Sequence, residues 1–138
     1  MHGVKKGVLL ALGLVLILGV TAGTVVANAA TAEAAVSERD LEQQEALALE
    51  YRWNIDRTPA DDAAARETLY LRLIEECPET EAAERAHWAL SNLYLDDFDE
   101  PREEDARKIL QRFAERYPAS RWILHVTDRL AWLWGEKP

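Results

Sequence analysis

Cysteine and glycine are scarce in this 138-residue sequence, and each scarcity excludes a class of protein. A single cysteine, Cys77, can form neither an intramolecular disulfide nor a multi-cysteine zinc site, which excludes disulfide scaffolds and zinc modules of that kind. Five of the six glycines precede residue 24, and there is no glycine-rich phosphate loop, no nucleophile-elbow serine and no HExxH motif. We therefore expect a protein that is not an enzyme and that holds no cofactor.

Acidic residues are absent from the first 32 positions and abundant afterwards. Residues 30–138 contain 14 Lys and Arg against 25 Asp and Glu, so they carry a net charge of −11 within a chain of net charge −9. Negative charge of this size repels nucleic acids and anionic membrane surfaces. We therefore expect no nucleic acid partner.

The first 29 residues have the three-part pattern of an export signal. A short basic start precedes an uncharged apolar run over residues 7–20, and Ala27-Asn28-Ala29 places small residues where signal peptidase reads the chain. In the alternative interpretation, residues 7–27 form about 31 Å of helix that stays in the membrane as an anchor, with the basic start inside. Both interpretations export the rest of the chain.

Prolines divide the sequence that follows an Ala-rich spacer at 30–36 into segments of helical length. Thr80 and Ser120 are N-cap residue types that each lie two residues after a proline, and Thr58 precedes Pro59 at another helix start. No segment alternates with a period of two for long enough to predict a strand. The predicted helices cover residues 37–55, 59–76, 80–95, 101–116 and 120–134, which is an all-α fold.

An internal repeat indicates how these helices are arranged. The pattern of leucine, small residue, two further residues and an aromatic occurs at 90–94 and again 40 residues later at 130–134, and a related segment at 47–51 lies 43 residues earlier. Pro78 and Pro118 repeat at the same 40-residue interval. Two-helix repeats of this length predict antiparallel hairpins stacked side by side, because each hairpin buries its apolar stripe only against its neighbours.

In these residues the sequence resembles the tetratricopeptide repeat (TPR) family. The signature falls on Leu47, Ala48 and Tyr51, on Leu90, Ser91 and Tyr94, on Leu130, Ala131 and Trp134, on Ala106 in a second helix, and on the terminal prolines Pro78 and Pro118. The segments 77–80 and 117–120 are similar to the bacterial envelope branch, which includes the outer-membrane assembly lipoprotein and the Tol-Pal-associated periplasmic protein. The period of 40 exceeds the family's 34, and only about two and a half repeats are present.

The resemblance implies a short TPR-like α-solenoid over residues 37–138 that acts as a non-catalytic adaptor or scaffold in protein binding. We expect it in the bacterial periplasm, either soluble after signal cleavage or anchored in the inner membrane. A helix or extended peptide of unknown identity would bind the concave face of helices 37–55, 80–95 and 120–134. The alternative is an accessory structural subunit of a membrane protein complex, anchored by residues 7–27.

The last predicted helix is the strongest candidate for a contact surface. Its apolar stripe includes Leu130, Leu133 and Trp134, and the stripe leaves tryptophan and basic side chains elsewhere on the helix. Exposed aromatic side chains of this kind are common in binding sites, although core packing is the alternative for Trp134. The predicted partner-binding residues, for a partner protein or a second copy, are Trp122, His125, Arg129, Trp132 and Trp134.

Two residue sets are weaker candidates for metal binding. The acidic residues between 96 and 105 do not match the spacing of an EF-hand, so we interpret them as a solvated turn and a helix N-terminus. His87 and His125 fall on different predicted helices at non-equivalent repeat positions, and Cys77 ends a third, so we expect no metal site there. Cys77 is predicted to be a small buried residue.

Overall fold

The computed structural model describes residues 36–135, which form five α-helices and contain no β-strand. The helices are α1 (Glu38–Arg57), α2 (Ala63–Glu76), α3 (Glu81–Asp96), α4 (Glu103–Arg116) and α5 (Ile123–Leu133). The predicted all-α class is therefore confirmed. The predicted signal peptide or anchor at 1–29, and the spacer except for its last residue, lie outside the described residues. Within 36–135 no helix is both long and apolar enough to cross a bilayer.

The ends of α2 and α4 have the same local cause. Pro78 and Pro118 disfavour a helical conformation in the residues before them, and Cys77 and Tyr117 do leave the helix, with φ/ψ of −125/45° and −122/55°. Cys77 donates its backbone N–H to Leu73 at 2.9 Å, and Tyr117 makes the equivalent bond at 2.8 Å. The two prolines therefore end the two helices in the same way.

The start of α2 differs from the prediction. Thr58 does not cap it, since the Thr58 hydroxyl donates to the carbonyl of Asn54 at 2.8 Å and so belongs to the end of α1. Asp62 is the N-cap instead, and its carboxylate accepts the N–H of Ala65 at 3.1 Å. Pro59 begins the turn that separates the two helices, so α2 starts at Ala63.

Thr80 and Ser120 occupy equivalent repeat positions but make different caps. The Thr80 hydroxyl accepts the N–H of Ala83 at 3.1 Å and donates to the carbonyl of Cys77 at 2.7 Å, so the predicted N-cap of α3 is confirmed. The Ser120 hydroxyl accepts the N–H of Trp122 at 3.2 Å, but α5 begins only at Ile123, and no side chain caps it. The prediction that Ser120 caps the last helix is therefore wrong.

Replacing Thr80 with alanine should lower the free energy of unfolding by about 1–2 kcal/mol, because it removes a buried N-cap whose hydroxyl makes two hydrogen bonds. The matched change Ser120→Ala should cost roughly 0.5 kcal/mol or less. Urea denaturation of the two variants measures the difference. Equal losses would contradict the assignment of Thr80 as the only true cap of the pair.

Helices that follow one another along the chain pack side by side, and α1 also packs on α3.

Most predicted repeat positions are buried, namely Ala48, Tyr51, Leu90, Ser91, Tyr94 and Ala106. Four others are partly buried, namely Leu47, Leu130, Ala131 and Pro78. Pro118 is exposed. The alternative that Trp134 packs in the core is wrong, since its side chain is 60% exposed. It follows the last residue of α5 and stacks on Arg107 of α4, whose Cζ is 4.7 Å from the ring centroid.

A buried histidine holds α3 against α4. The His87 ring contacts the edges of Phe113 and Tyr117 at centroid distances of 5.7 and 5.5 Å, and its Nδ1 donates to the carbonyl of Ala83 at 2.7 Å. Burial lowers the pKa of His87 to about 4. Cys77 is fully buried, as predicted, and burial raises the pKa of its thiol. Both residues are therefore part of the core.

Candidate binding groove between helices α3 and α5

The structure divides the predicted partner-binding residues among three places. Trp122 and His125 line a groove between α3 and α5. Arg129 and Trp132 line a separate recess beside Leu95 and Pro101. Trp134 stacks on α4. Trp134 lies just beyond the last residue of α5 and is 60% exposed, so the predicted residues do not share one recess.

The α3/α5 groove has a volume of about 570 Å³ and mainly apolar walls. Its lining residues are Glu84, Arg85 and Trp88 from α3, Phe113 from α4, and Trp122, His125 and Val126 at the start of α5. Phe113 and Val126 are fully buried, so they form a rigid floor. Trp88 and Trp122 are only partly buried and form the walls. A concave apolar site with a few charged groups at its rim is typical of binding sites in proteins.

Arginine side chains hold the tryptophan rings of this groove. The Cζ atom of Arg121 lies 4.9 Å from the Trp122 ring centroid, and that of Arg85 lies 6.0 Å from it. Arg129 stacks on Trp88 at 4.5 Å. These distances allow cation–π attraction, which restricts the rings and lowers the entropy lost when a ligand binds.

Arg129 makes two contacts within the fold. Its guanidinium stacks on Trp88 and donates to the Asn92 side-chain oxygen at 3.0 Å, so it joins α5 to α3. A side chain with these two internal contacts positions a groove wall, and it also lines the recess beside Leu95 and Pro101. His125, in contrast, is exposed and lies 6.2 Å from Trp122, measured between ring centroids.

The polar atom of the Trp122 ring lies inside the fold. Its Nε1–H is buried, and no hydrogen-bond acceptor within residues 36–135 reaches it. A buried donor without a partner costs free energy, of the order of 1–3 kcal/mol.

A second groove lies between α1 and α3 and has a volume of about 480 Å³. Its lining includes Glu45, Leu49 and Arg52 from α1 and Glu81 and Arg85 from α3. Arg85 therefore lines both grooves. Its guanidinium pairs with Glu81 at 3.0 Å, and Glu81 also accepts a hydrogen bond from Arg121.

Sequence reasoning did not identify Arg85 or Trp88 as groove residues. The repeat contained the necessary signal, because Arg85 lies 40 residues before His125 and so occupies the same position in its hairpin. The acidic residues between 96 and 105 lie at the end of α3, in the turn that follows it and in the first turn of α4. Arg102 bonds to Asp105 at 2.8 Å, and no group of three His, Cys, Asp or Glu side chains within the described part of the chain is arranged to bind a metal ion.

Comparisons of the chain with protein-family models, with curated proteins and with solved structures each found no match. The proposal for function therefore depends on the contacts and the geometry of the described residues.

Proposed function

We propose that residues 38–135 form a non-catalytic TPR-like adaptor that binds a helix or an extended peptide of another protein. The observation that carries this proposal is the α3/α5 groove, in which Trp88 and Trp122 form two walls above a buried apolar floor. Tryptophan and arginine are the residue types that contribute most to protein interfaces. The groove has the shape and chemistry to take an apolar side chain of a partner.

The separation of the contacts along the chain supports stacked hairpins. Side-chain bonds connect Gln44 to Glu79, Tyr117 to Pro78, and Arg129 to Asn92, which are 35, 39 and 37 residues apart. A stack with a 40-residue period places one hairpin beside the next at just such separations. Sequential helix packing, with α1 also on α3, supports the same arrangement.

The charges at the groove rims favour an amphipathic ligand. Arg52, Arg85 and Glu81 lie along the α1 and α3 side, and Glu84 and His125 flank the α3/α5 groove. Both signs of charge are present, although the whole chain is strongly acidic. A helix or extended segment with one apolar side and polar flanks of mixed charge matches these rims.

We further propose that the adaptor functions on the periplasmic side of a bacterial inner membrane. The support is the sequence of residues 1–29, which has the pattern of an export signal or anchor. The accessory-subunit alternative needs residues 7–27 to stay in the mature chain. The intact mass of the chain recovered from cells separates the adaptor from the accessory subunit. A mass that corresponds to a chain starting at Ala30 means that the N-terminal segment was cleaved.

Site-specific photo-crosslinking tests the groove directly. A benzophenone amino acid at position 125, which is exposed at the groove, should crosslink the full-length chain to one defined protein in bacterial cells. The same amino acid at position 111, which is exposed on α4, is the matched control and should give no such product. Equal crosslinking from both positions, or none from position 125, would refute the proposed site.

The affinity for a crosslinked partner should depend on Trp122. Replacing it with alanine removes a groove wall and the arginine stack, so binding should weaken by roughly 30-fold, as at interface residues worth about 2 kcal/mol. Gln111→Ala should leave the affinity unchanged. Isothermal titration calorimetry with the purified partner measures both, and an unchanged affinity for the Trp122 variant would exclude the groove as the binding site.

A further inference from the structure

The α3/α5 groove and the recess lined by Arg129 and Trp132 lie along one seam between helices α3 and α5. The groove is lined by the first half of each helix, with Trp88 of α3 and His125 of α5. The recess is lined by the last turn of each helix, with Asp96 of α3 and Trp132 of α5. The starts of the two helices therefore lie together and so do their ends, which means that α3 and α5 run in the same direction along the seam.

The side chains along this seam share one side of each helix. Their spacing is three or four residues, which places them on the same side of an α-helix. The α3 residues are Glu84, Trp88, Asn92 and Asp96. The α5 residues are His125, Arg129 and Trp132. A segment of another protein that lies along the seam therefore reaches both the groove and the recess.

Arg129 separates the groove from the recess. Its guanidinium stacks on Trp88 at 4.5 Å and donates to the Asn92 side-chain oxygen at 3.0 Å, so it crosses from α5 to α3. His125 in the groove and Trp132 in the recess are seven residues apart on α5. At a rise of about 1.5 Å per residue, the two sites are about 10 Å apart along the seam.

The recess, which we call the acidic recess, has a volume of about 480 Å³. Its lining residues are Leu95, Asp96, Pro101, Glu103, Arg129 and Trp132. Asp96 and Glu103 are exposed, and neither makes an ion pair within residues 36–135. Arg102 and Arg107, the basic residues nearest to Glu103 along the chain, pair with other carboxylates.

The acidic recess has the chemistry to bind a cation. One arginine stands against two carboxylates among its lining residues, which is a net charge of −1. That arginine, Arg129, is held at Trp88 and Asn92, which lie two turns and one turn before Asp96 on α3. Trp132 adds an aromatic wall that is 41% exposed. Carboxylates and an indole ring both attract an ammonium or a guanidinium group.

We propose that the partner places a lysine or arginine side chain in the acidic recess and an apolar side chain in the α3/α5 groove. This inference rests on the proposed function, because it specifies the chemistry of the same partner segment. The separation of about 10 Å corresponds to about seven positions in a helical segment or about three in an extended one. The apolar side chain lies towards the starts of α3 and α5, and the basic side chain lies towards their ends.

Selection from random peptides tests this chemistry without a known partner. The full-length wild-type chain, held in detergent, selects from a library of random peptides displayed on phage. The enriched peptides should carry lysine or arginine at one of these two spacings from a large apolar residue. The double variant Asp96→Lys, Glu103→Lys should instead enrich aspartate or glutamate at that position and keep the same apolar residue, because the recess then carries positive charge.

A matched variant controls for net charge. Asp61→Lys with Glu115→Lys makes the same change of charge at two exposed positions that line neither the groove nor the recess, so it should select the same peptides as wild type. Unchanged helical circular dichroism will confirm that both double variants fold. A change to acidic peptides with the control variant as well would show that net charge alone matters, and it would refute the role of the acidic recess.

One enriched peptide, made with lysine and with glutamate at the basic position, measures the size of the effect. Wild type should bind the lysine form about tenfold more tightly than the glutamate form, and the Asp96, Glu103 variant should reverse this preference. Isothermal titration calorimetry gives the four affinities. Enrichment of an apolar residue alone, or equal affinities for the two forms, would overturn this inference and leave the proposed function standing. No enrichment by wild type would refute the proposed function and this inference with it.

Discussion

Replacing Phe113 with alanine is expected to lower the free energy of unfolding by about 3–5 kcal/mol, the largest effect of a single change in this domain. The Phe113 ring is almost fully buried, and it packs on His87 and Tyr117. Its removal leaves a cavity between α3 and α4 that the fixed helices cannot close. Urea denaturation followed by circular dichroism measures the loss.

The Phe113 variant also connects stability to binding, because the same ring forms part of the groove floor. A matched change at Leu73, which lies 40 residues earlier and is equally buried, should cost about 2–5 kcal/mol without altering the α3/α5 groove. The exposed control Gln111→Ala should stay within about 0.5 kcal/mol of wild type. A loss below that level for Phe113→Ala would contradict the packing described here.

Lowering the pH from 7 to 4 should destabilise the domain by roughly 3 kcal/mol through His87 alone. Burial lowers the pKa of His87 to about 4 in the folded chain, and an unfolded chain has the ordinary value near 6.5. Between these values the unfolded state binds more protons than the folded state. The stability contributed by neutral His87 is therefore complete above pH 6.5 and is lost as the pH falls towards 4.

Two positive charges near His87 change its pKa in the same direction as burial does. Arg112 and Arg116 of α4 also lower the pKa of His87, whereas the hydrogen bond to the Ala83 carbonyl raises it. His87→Leu removes the titrating imidazole and leaves the other ionisable side chains unchanged. For each protein, the drop in the free energy of unfolding between pH 7 and pH 4 is measured. The drop in wild type minus the drop in this variant is the contribution of His87. The same loss in both proteins would show that His87 plays no part.

The sequence predicted the helix ends well because their causes are local. Pro78 and Pro118 end helices through a clash with the preceding residue, which is visible in any sequence. Helix starts were less predictable, because several side chains near a start compete to cap it. Thr58 and Asp62 both had the right chemistry, and only the path of the chain at Pro59 determined that Asp62 caps α2.

The groove could be predicted only in part, because it depends on contacts between distant helices. Trp122 and His125 were predicted as contact residues because they lie on the last predicted helix, where the sequence shows an incomplete repeat. To predict Arg85 as a groove residue, one has to know that α3 lies beside α5 across the groove. The inward role of Arg129 depends on the place of Asn92, 37 residues away, and no local pattern reveals such a pairing.

Arg85 gives the two grooves a shared component. Arg85 lines both grooves, and its guanidinium pairs with Glu81, which also binds Arg121. A ligand that draws this cation into one recess withdraws it from the other. Thermodynamic linkage then requires the effect to be mutual, so each occupied recess changes the affinity of its neighbour by the same factor. Two ligands that occupy both grooves at once would therefore bind cooperatively. The sign of the cooperativity depends on whether each ligand binds better with the Arg85 cation inside its groove or outside it.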